Sequence, residues 1–349
     1  MNEQIVLTVE GHRWTGWTSA KVSAGIDRLA RDFSVTTTQA WPEKAKPAAM
    51  PLTAGQRVTV SLGEQLVMTG WIDSVPLRYD AKEIHHAIVG RSLTADLIDC
   101  AAAPKQFEDQ NIHQILSELA HPFAITVSTR GTRSERLRVQ RVQPSAGESV
   151  AEVISHLIGG APVLAFDDAD GQLVLSDIGD DEADTPLVLG ENILRGHREK
   201  SSSDRFSLYT VVGQRRGDEL DFGDETLTRL HFQTEDPAIG RYRPKYLRLV
   251  GNVTQADCRQ RAQFEVDHRA ALADEINYTV QGWRQPSGHL WAPNQTVLVT
   301  DPLAGFHQKE MVIAEAVYQQ NSNGTVTQLR VGPPAAYAAT GREEVIAWR

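Results

Sequence analysis

Two stretches of this chain echo each other: Gly55-Gln56-Arg57-Val58-Thr59-Val60 and Asn294-Gln295-Thr296-Val297-Leu298-Val299. In both, valine recurs at every second position, which is the period-two pattern of a half-buried β-strand. Each stretch is followed, after a turn or loop, by another apolar strand, over residues 66–75 in one case and 310–319 in the other. The echo is compatible with a duplicated β unit, and also with chance alternation of valine in two separate β regions.

The alternating pattern extends over the first hundred residues. It predicts strands around five groups: Ile5, Leu7 and Val9; Phe33, Val35 and Thr37; Val58, Val60 and Leu62; residues 67–73; and Ile84, Ala87 and Val89. Strands at this spacing, with no helices between them, are typical of an antiparallel sandwich or a small barrel. Trp41-Pro42 through Pro47 and Pro51 predicts a long loop, because proline cannot donate a hydrogen bond inside a ladder.

The middle of the chain changes to a helical period. Apolar residues recurring every three or four positions predict an amphipathic helix over residues 110–120, namely Ile112, Ile115, Leu116 and Leu119. A second helix begins at Ser149, which forms a capping box with Glu152, and is expected to stop at Gly159-Gly160 in a left-handed turn. Apolar stretches at 162–166 and 172–175 then flank Asp170-Gly171, which is a hairpin turn signal. Residues from about 100 to 180 are therefore predicted to form a small α/β module.

The rest of the chain returns to β structure. An acidic linker holds five acidic residues between Asp177 and Asp184, and a polar stretch from Arg215 to Glu225 predicts an exposed loop. Thr254 and Asp257 are spaced to cap a helix over about 255–273, with Ala262, Val266 and Ala270 on one face. Further strands are predicted at 276–283, 296–300, 310–319 and 325–331, with Asn323-Gly324 as a hairpin turn. Gly332-Pro333-Pro334 is expected to end the folded region.

Composition indicates an ordinary soluble protein of several domains, with 349 residues, 41% hydrophobic and 23% charged. Its 35 basic and 45 acidic residues give a net charge of −10, which argues against sequence-independent coating of nucleic acid. The first residues lack a signal peptide, and no apolar run is long enough to span a membrane. The expected site of synthesis is therefore the cytoplasm. Cys100 and Cys258 are expected as two reduced thiols, although one disulfide is arithmetically possible.

The chain carries no sequence motif of a catalytic, metal or cofactor site. His85-His86 are adjacent on a predicted strand, so their side chains point to opposite faces and cannot both ligate one metal. Asp168, Asp170 and Gly171 resemble part of a calcium-binding loop, but Phe166 and Asp177 occupy its first and twelfth ligand positions. A hairpin turn explains them more simply. We therefore expect no catalytic residue, no metal ligand and no cofactor.

A local run of arginines comprises Arg130, Arg133, Arg136, Arg138 and Arg141. Arginine binds phosphate, but its planar fork also pairs with carboxylates at protein interfaces. The acidic stretches 177–184 and 218–225 are possible partners, and a solvated strand face is the simpler alternative. The chain has 27 arginines and 8 lysines. This excess of arginine favours the interpretation that the protein assembles with other proteins.

Three stretches resemble a known family. Gly70-Trp71-Ile72-Asp73 and residues 89–102, from Val89-Gly90-Arg91 through Asp99-Cys100, are similar to the first domain of the Mu-like contractile phage baseplate hub proteins, the tail protein P family. Residues 147–177 resemble the corresponding helix and hairpin of type VI secretion spike hubs, which share that fold. Leu290-Trp291-Ala292-Pro293-Asn294, continuing to Asp301, resembles the second barrel of the family.

The resemblance implies a mainly β fold with α/β insertions and two related antiparallel β-barrel domains. The implied division is 1–102 for the first barrel, 103–185 for the α/β module, 186–216 with 275–335 for the second barrel, 217–274 for a helix-containing insertion, and 336–349 for the tail. In this family three subunits arrange six barrels as a ring that joins the sixfold tail tube to the threefold spike.

The resemblance further implies a structural protein rather than an enzyme. Its expected partners are two more copies of itself, the tail tube protein, the central spike protein and other baseplate components. DNA is expected to pass through the ring without specific binding, helped by acidic side chains that repel phosphate. Its expected location is the virion baseplate, after assembly in the host cytoplasm and without membrane insertion. The alternatives are a tail-tip cell-wall hydrolase, a peptidoglycan-binding module, or a type VI spike hub from a bacterium.

Overall fold

The computed structural model describes residues 4–40, 50–133, 137–159, 163–213, 230–249, 253–338 and 346–347. Outside these residues lie the predicted loop from Trp41 to Pro47, the polar stretch 215–225, Arg136, Gly160 and most of the tail. Within them the chain is mainly β with a few helices, as the sequence predicts.

The first unit consists of strands. They are β1 (Ile5–Val9), β2 (His12–Trp14), β3 (Ser19–Gly25), β4 (Asp32–Ala40), β5 (Arg57–Leu62), β6 (Gln65–Ser74), β7 (Leu77–Tyr79) and β8 (Glu83–Ser92). The sequence analysis missed β2, β3 and β7. In β3 the buried positions are Ala20, Val22 and Ala24, and two alanines give a weak hydrophobic alternation. All three residues of β7 are exposed, so it shows no alternation.

The α/β module follows. It contains α1 (Ala95–Asp99), β9 (Phe107–Asn111), α2 (Ile112–Ala120), β10 (Val127–Arg130), β11 (Arg138–Val142), α3 (Val150–Ile158), β12 (Leu164–Asp167) and β13 (Leu173–Ser176). The predicted helices and hairpin are confirmed, because α2 and α3 bury their apolar stripes in one core and β12 pairs antiparallel with β13. The capping box is also confirmed: Ser149 Oγ accepts from the Glu152 N–H at 3.2 Å.

One helix stop was predicted wrongly. Gly159 has φ −60° and ψ −13°, so it is helical rather than left-handed. Its N–H donates to the Ser155 carbonyl at 2.9 Å, which continues the helical hydrogen-bond pattern through this residue. Gly160 lies outside the described residues.

The remainder of the chain contains the second β unit and an insertion. Its elements are β14 (Asp181–Glu182), β15 (Leu187–Val188), β16 (Ile193–His197), β17 (Leu208–Gly213), β18 (His231–Glu235), β19 (Pro244–Leu249), α4 (Gln255–Leu272), β20 (Ile276–Gln281), β21 (Gln295–Asp301), β22 (Phe306–Asn321), β23 (Gly324–Gly332) and β24 (Ile346–Ala347). The predicted cap of α4 is confirmed, with Thr254 Oγ1 accepting from the Asp257 N–H at 3.2 Å. The predicted hairpin is confirmed too, but its turn is Ser322-Asn323 rather than Asn323-Gly324, because Gly324 already pairs with Asn321.

The two β units share one sheet and one core. The sheet order is β16-β20-β23-β22-β3-β4-β8-β6-β5-β1-β2, and β21 joins it through β22. The first unit therefore contributes β3-β4-β8-β6-β5, and the second contributes β16-β20-β23-β22-β21 in the same antiparallel order. Within the chain the units meet where β3 pairs with β22.

The two units also agree in how their strands pair, at equivalent residues. Equivalent residues pair with both neighbouring strands: Trp71 pairs with Arg57 and Arg91, and Val312 pairs with Thr296 and Gly332. A β-bulge follows at the same place in each, between Ile72 and Ser74 and between Ile313 and Glu315. Gly55 and Asn294, which open the echoed stretches, both have positive φ, at 87° and 69°. The echo is therefore a duplicated β unit.

The second unit carries the insertion. It lies between β16 and β20, where the first unit has only the short segment 26–31 between β3 and β4. Strands β18-β17-β19 form a separate sheet, and Val211 of β17 packs on Cys258 and Ala262 of α4. The sequence analysis placed residues 208–213 in the second barrel, but β17 pairs with the inserted strands instead.

Candidate assembly surface

The first of the stretches that carry the family resemblance, residues 70–73 with 89–102, forms a joint between the first β unit and the α/β module. Gly70 and Gly90 flank the Trp71–Arg91 pair where β6 crosses β8. A Cβ on Gly70 would lie 1.9 Å from the Arg91 carbonyl oxygen, and one on Gly90 would lie 2.1 Å from the Trp71 carbonyl oxygen. Because both obstacles are backbone atoms, only glycine permits this close crossing.

Arg91 continues the joint. Its Nε donates to Asp73 at 2.7 Å, and its two terminal nitrogens donate to Asp99 of α1 at 2.7 and 3.1 Å. The hydrogen bonds from Arg91 lower the pKa of Asp99, and the same bonds raise the pKa of Arg91. Arg91 of β8 thus links Asp73 of β6 to Asp99 of α1, and this link has a structural role.

A second tie was missed from sequence, because its two residues lie far apart in the chain. The buried carboxylate of Asp167 accepts from the Arg31 main-chain N–H at 3.0 Å and from Arg31 Nε at 3.3 Å. Arg31 also donates to the Val67 carbonyl at 2.7 Å. Burial raises the pKa of Asp167 despite the opposing effect of Arg31. The hairpin β12–β13 is therefore fixed to the first β unit.

The histidines and the aspartate turn behave as their sequence context predicts. His86 is buried, whereas His85 on the opposite face is half-exposed and lies 3.1 Å from Thr38 Oγ1. Asp168 Oδ1 accepts from the main-chain N–H groups of Asp170 and Gln172, at 3.0 and 2.9 Å. This carboxylate therefore holds the hairpin turn. Among the residues described, no three His, Cys, Asp or Glu side chains are grouped to hold a metal ion.

The arginine run adjoins the acidic linker through the main chain, because the Asp177 N–H donates to the Arg130 carbonyl at 3.2 Å. Arg138 donates to the Asp109 carbonyl at 2.8 Å and Arg141 donates to Gln106 at 2.9 Å, both on the neighbouring strand region. Arg130 and Arg133 are exposed, and Arg136 lies outside the described residues. Within the chain these two arginines contact the β9 region rather than 177–184, because β11 pairs with β9. Pairing between chains stays a prediction.

The acidic linker is instead anchored by Asn294. The buried Asn294 amide donates to Asp180 at 2.6 Å and to the Asp177 carbonyl at 2.9 Å, and its oxygen accepts from the Gly179 N–H at 2.8 Å. Further along, Asp184 accepts from Ser287 and His289, whose hydrogen bonds lower its pKa. The linker thus forms β14 beside β21 and positions the second unit.

The cysteines and the groove beside α3 offer little chemistry. Neither Cys100 nor Cys258 is in a disulfide bond, as the sequence predicts. The groove beside α3 is lined by residues 141–146, Glu148, Val153 and His156, and its volume is 680 Å³. At its wall, His156 Nδ1 lies 2.7 Å from Glu148 Oε1. The other Glu148 oxygen accepts from the Ser145 N–H at 2.7 Å, so Glu148 closes a turn. This geometry gives Glu148 a structural role.

Two strand edges present large apolar side chains to solvent. On β7, Leu77 is 54% exposed and Tyr79 is also exposed. On β16, Leu194 is 58% exposed. Exposed apolar strand edges invite pairing with another chain unless they are covered. These edges are the candidate assembly surface of the molecule. No helix in the part of the chain that the structure describes is long and apolar enough to cross a membrane.

Comparison with known proteins gives three family matches on successive parts of the chain. They are the Mu phage baseplate assembly protein GpP-like N-terminal domain over residues 4–92, the baseplate hub protein gp44-like second domain over residues 94–177, and the Mu phage baseplate assembly protein GpP fourth domain over residues 254–340.

Whole-chain relatives agree with these matches. The chain is 29% identical over 344 residues to the baseplate hub protein gp44 of Escherichia phage Mu, covering 95% of this chain and 88% of that one. The crystal structure of the MuSo2 prophage 43 kDa tail protein from Shewanella oneidensis is 28% identical, with a TM-score of 0.86 over 97% of this chain and 100% of that one. The E. coli c3393 type VI secretion component shares the fold, at 12% identity and a TM-score of 0.55 over 94% of this chain and 76% of that one.

Proposed function

We propose that this chain, which belongs to the family of Mu-like phage baseplate hub proteins, assembles as a homotrimeric ring in the tail baseplate. The observation that carries the proposal is the duplicated β unit, which repeats five strands in the same order. Three chains then supply six β units around one axis. Closed rings of identical chains are a common outcome of head-to-tail contacts.

The ring joins the sixfold tail tube to the threefold spike. Six similar β units present six similar surfaces to the tube. The insertion of β17–β19 and α4 occurs only in the second unit, so the same ring carries it three times. The six β units of the ring can therefore make six equivalent contacts with the tube, and the three insertions can make three equivalent contacts elsewhere on the ring.

The channel of the ring passes DNA without binding it. The chain has a net charge of −10, and an acidic lumen repels phosphates and keeps the genome from adhering. A positive lumen potential in the assembled ring would contradict this part of the proposal.

The protein acts in the virion as a structural component. Its relatives are named as baseplate and tail proteins, and Glu148, beside His156 in the groove, closes a turn. Incubation with dye-labelled peptidoglycan separates this reading from the cell-wall hydrolase and the peptidoglycan-binding module. We expect no dye release and no sedimentation with the polymer, whereas either result would favour the alternative.

The solution mass tests the proposal. Light scattering after gel filtration, across a dilution series, is expected to give three times the chain mass of 38.5 kDa. A chain that remains monomeric throughout the series would contradict self-assembly of the ring.

A further inference from the structure

The junction between the two β units shows how one unit covers the edge of the next. Strand β3 pairs antiparallel with the second half of β22, and Val22 lies opposite Tyr318. Both side chains are buried, at 0% and 3% exposure. The Tyr318 hydroxyl donates to the Trp291 carbonyl, and burial raises the pKa of Tyr318 to about 12. The second half of β22 is thus an edge that needs a covering strand.

The first unit has the same edge, and no strand in the described part of the chain covers it. Leu77 pairs with His86 as Tyr318 pairs with Thr327, so residues 74–79 occupy the positions of 315–320. Leu77 is nevertheless 54% exposed. The Pro76 carbonyl accepts from the Ala87 N–H on β8. Because backbone groups alternate along a strand, the N–H and C=O of Leu77 point to the opposite, open edge.

The second unit has the matching covering strand, which pairs with no edge of another unit within the described residues. Gly196 of β16 pairs with Tyr278, as Ala20 of β3 pairs with Val35. Strand β16 is thus the counterpart of β3, and it ends the sheet. Among the residues that the structure describes, each chain therefore has one edge at 74–79 that no further strand pairs with, and one strand, β16, that covers no edge of another unit.

We propose that the end of β16 and the residues directly after it, 196–201, pair with residues 74–79 of a second copy of this chain, reproducing the β3–β22 junction between subunits. The inference rests on the proposed ring and specifies its contact between copies. The contact is head-to-tail, so three copies close a ring in which junctions within and between chains alternate.

The shared register fixes which residues meet. It places His197 opposite Arg78 and Glu199 opposite Pro76 of the second copy. Diagonal neighbours on one face of an antiparallel pair lie within reach of long side chains, so Glu199 meets Arg78. On the other face, Leu77 packs against the stem of Arg198, whose guanidinium lies 4.8 Å from the Phe306 ring centroid.

A pair of leucine variants tests the apolar part of the junction. Leu77→Asp places a charge on the proposed contact, and Leu303→Asp is the control on an 88% exposed leucine in the β21–β22 turn. Burial of a leucine contributes enough to association that Leu77→Asp should raise the dissociation constant of the trimer at least about tenfold. The Leu303→Asp variant should assemble like the wild type. Circular dichroism checks that each variant is folded.

A charge exchange tests the register. Arg78→Glu and Glu199→Arg should each weaken assembly, because each places like charges on the diagonal pair. The double variant should recover at least half of the lost association free energy. Arg133→Glu, on an exposed arginine of the α/β module, is the control and should assemble normally.

The outcomes separate the two proposals. A trimeric wild type with trimeric Leu77→Asp and Arg78→Glu variants overturns the junction and leaves the ring in place. Weakening by the single charge variants without recovery in the double variant overturns the register. A wild type that stays monomeric at every concentration overturns both. Selective loss in the junction variants, with recovery by the exchange, supports the junction.

Discussion

Substitution of Gly70 by alanine should destabilise the protein severely. The new Cβ would lie 1.9 Å from the Arg91 carbonyl oxygen and 2.6 Å from the Ser92 Cα. Both atoms belong to the backbone of β8, so no side-chain rotation relieves the clash. Strands β6 and β8 must therefore move apart at this point. Only four residue pairs join the two strands, so the change disturbs much of their pairing.

The expected magnitude follows from two contributions. Overpacking of a close-packed site costs about 1–3 kcal/mol, and losing two ladder hydrogen bonds costs about 1 kcal/mol each. The free energy of unfolding should therefore fall by about 3–5 kcal/mol, which is a large share of the ~5–15 kcal/mol typical of a folded domain.

Urea unfolding followed by tryptophan fluorescence measures this effect. Gly240→Ala is the matched control, because its new Cβ would meet nothing within 4 Å and its φ is not left-handed. We expect this control to stay within about 0.5 kcal/mol of the wild type. Equal stability of the Gly70→Ala and Gly240→Ala proteins would refute the role assigned to the glycine crossing.

Three further substitutions test individual contacts. Asn294→Gly keeps the positive φ but removes the buried amide that anchors the acidic linker, so the free energy of unfolding should fall by about 2–4 kcal/mol in urea titration; a loss below about 0.5 kcal/mol would contradict the anchor. Ser149→Ala removes the helix cap and should cost about 1 kcal/mol, and an unchanged melting temperature would argue against the cap. Burial raises the pKa of Glu265, but the hydrogen bonds and charges of Arg269 and Arg261 have the larger combined effect, so its pKa is below the usual glutamate value. Its stabilisation is therefore complete above the usual glutamate pKa and is lost as pH falls through the lowered pKa, so the stability gap between wild type and Glu265→Gln should close on acidification; a gap independent of pH would show that the charge contributes nothing.

Local signals in the sequence predicted local structure well. The capping boxes at Ser149 and Thr254 are both confirmed, because each needs only residues three positions apart. The strands with strong alternation, such as β1 and β5, were found for the same reason. Strand β3 was missed because its buried positions include two alanines, and its place in the sheet depends on β22, almost 300 residues away.

The duplication shows where sequence information ends. The stretches 65–79 and 306–320 align in register, yet Ile72 and Ile313 are their only identical pair. Backbone pairing conserves the bulge and the strand order, while side chains change with their surroundings. Only the six-residue echo beginning at Gly55 and Asn294 remained visible. There the turn requires a positive φ, which glycine and asparagine tolerate best.

The assembly surface could not be predicted from sequence. Leu77 and Leu194 lie in short segments without alternation, and their exposure becomes meaningful only when the uncovered edge is compared with its covered counterpart at Tyr318. The tie between Arg31 and Asp167 was hidden for a related reason, since 136 residues separate the partners. The stretch at Gly70 carried the family resemblance, but the sequence did not show that its glycines allow two strands to approach closely.

The measurement that tests the central claim most directly is electron microscopy of the purified protein, with class averages viewed end-on. We predict a ring with a central hole, six similar densities around the hole and three peripheral densities from the insertions. Particles without a hole, or rings whose inner densities are not six in number, would contradict an assembly of six β units from three chains.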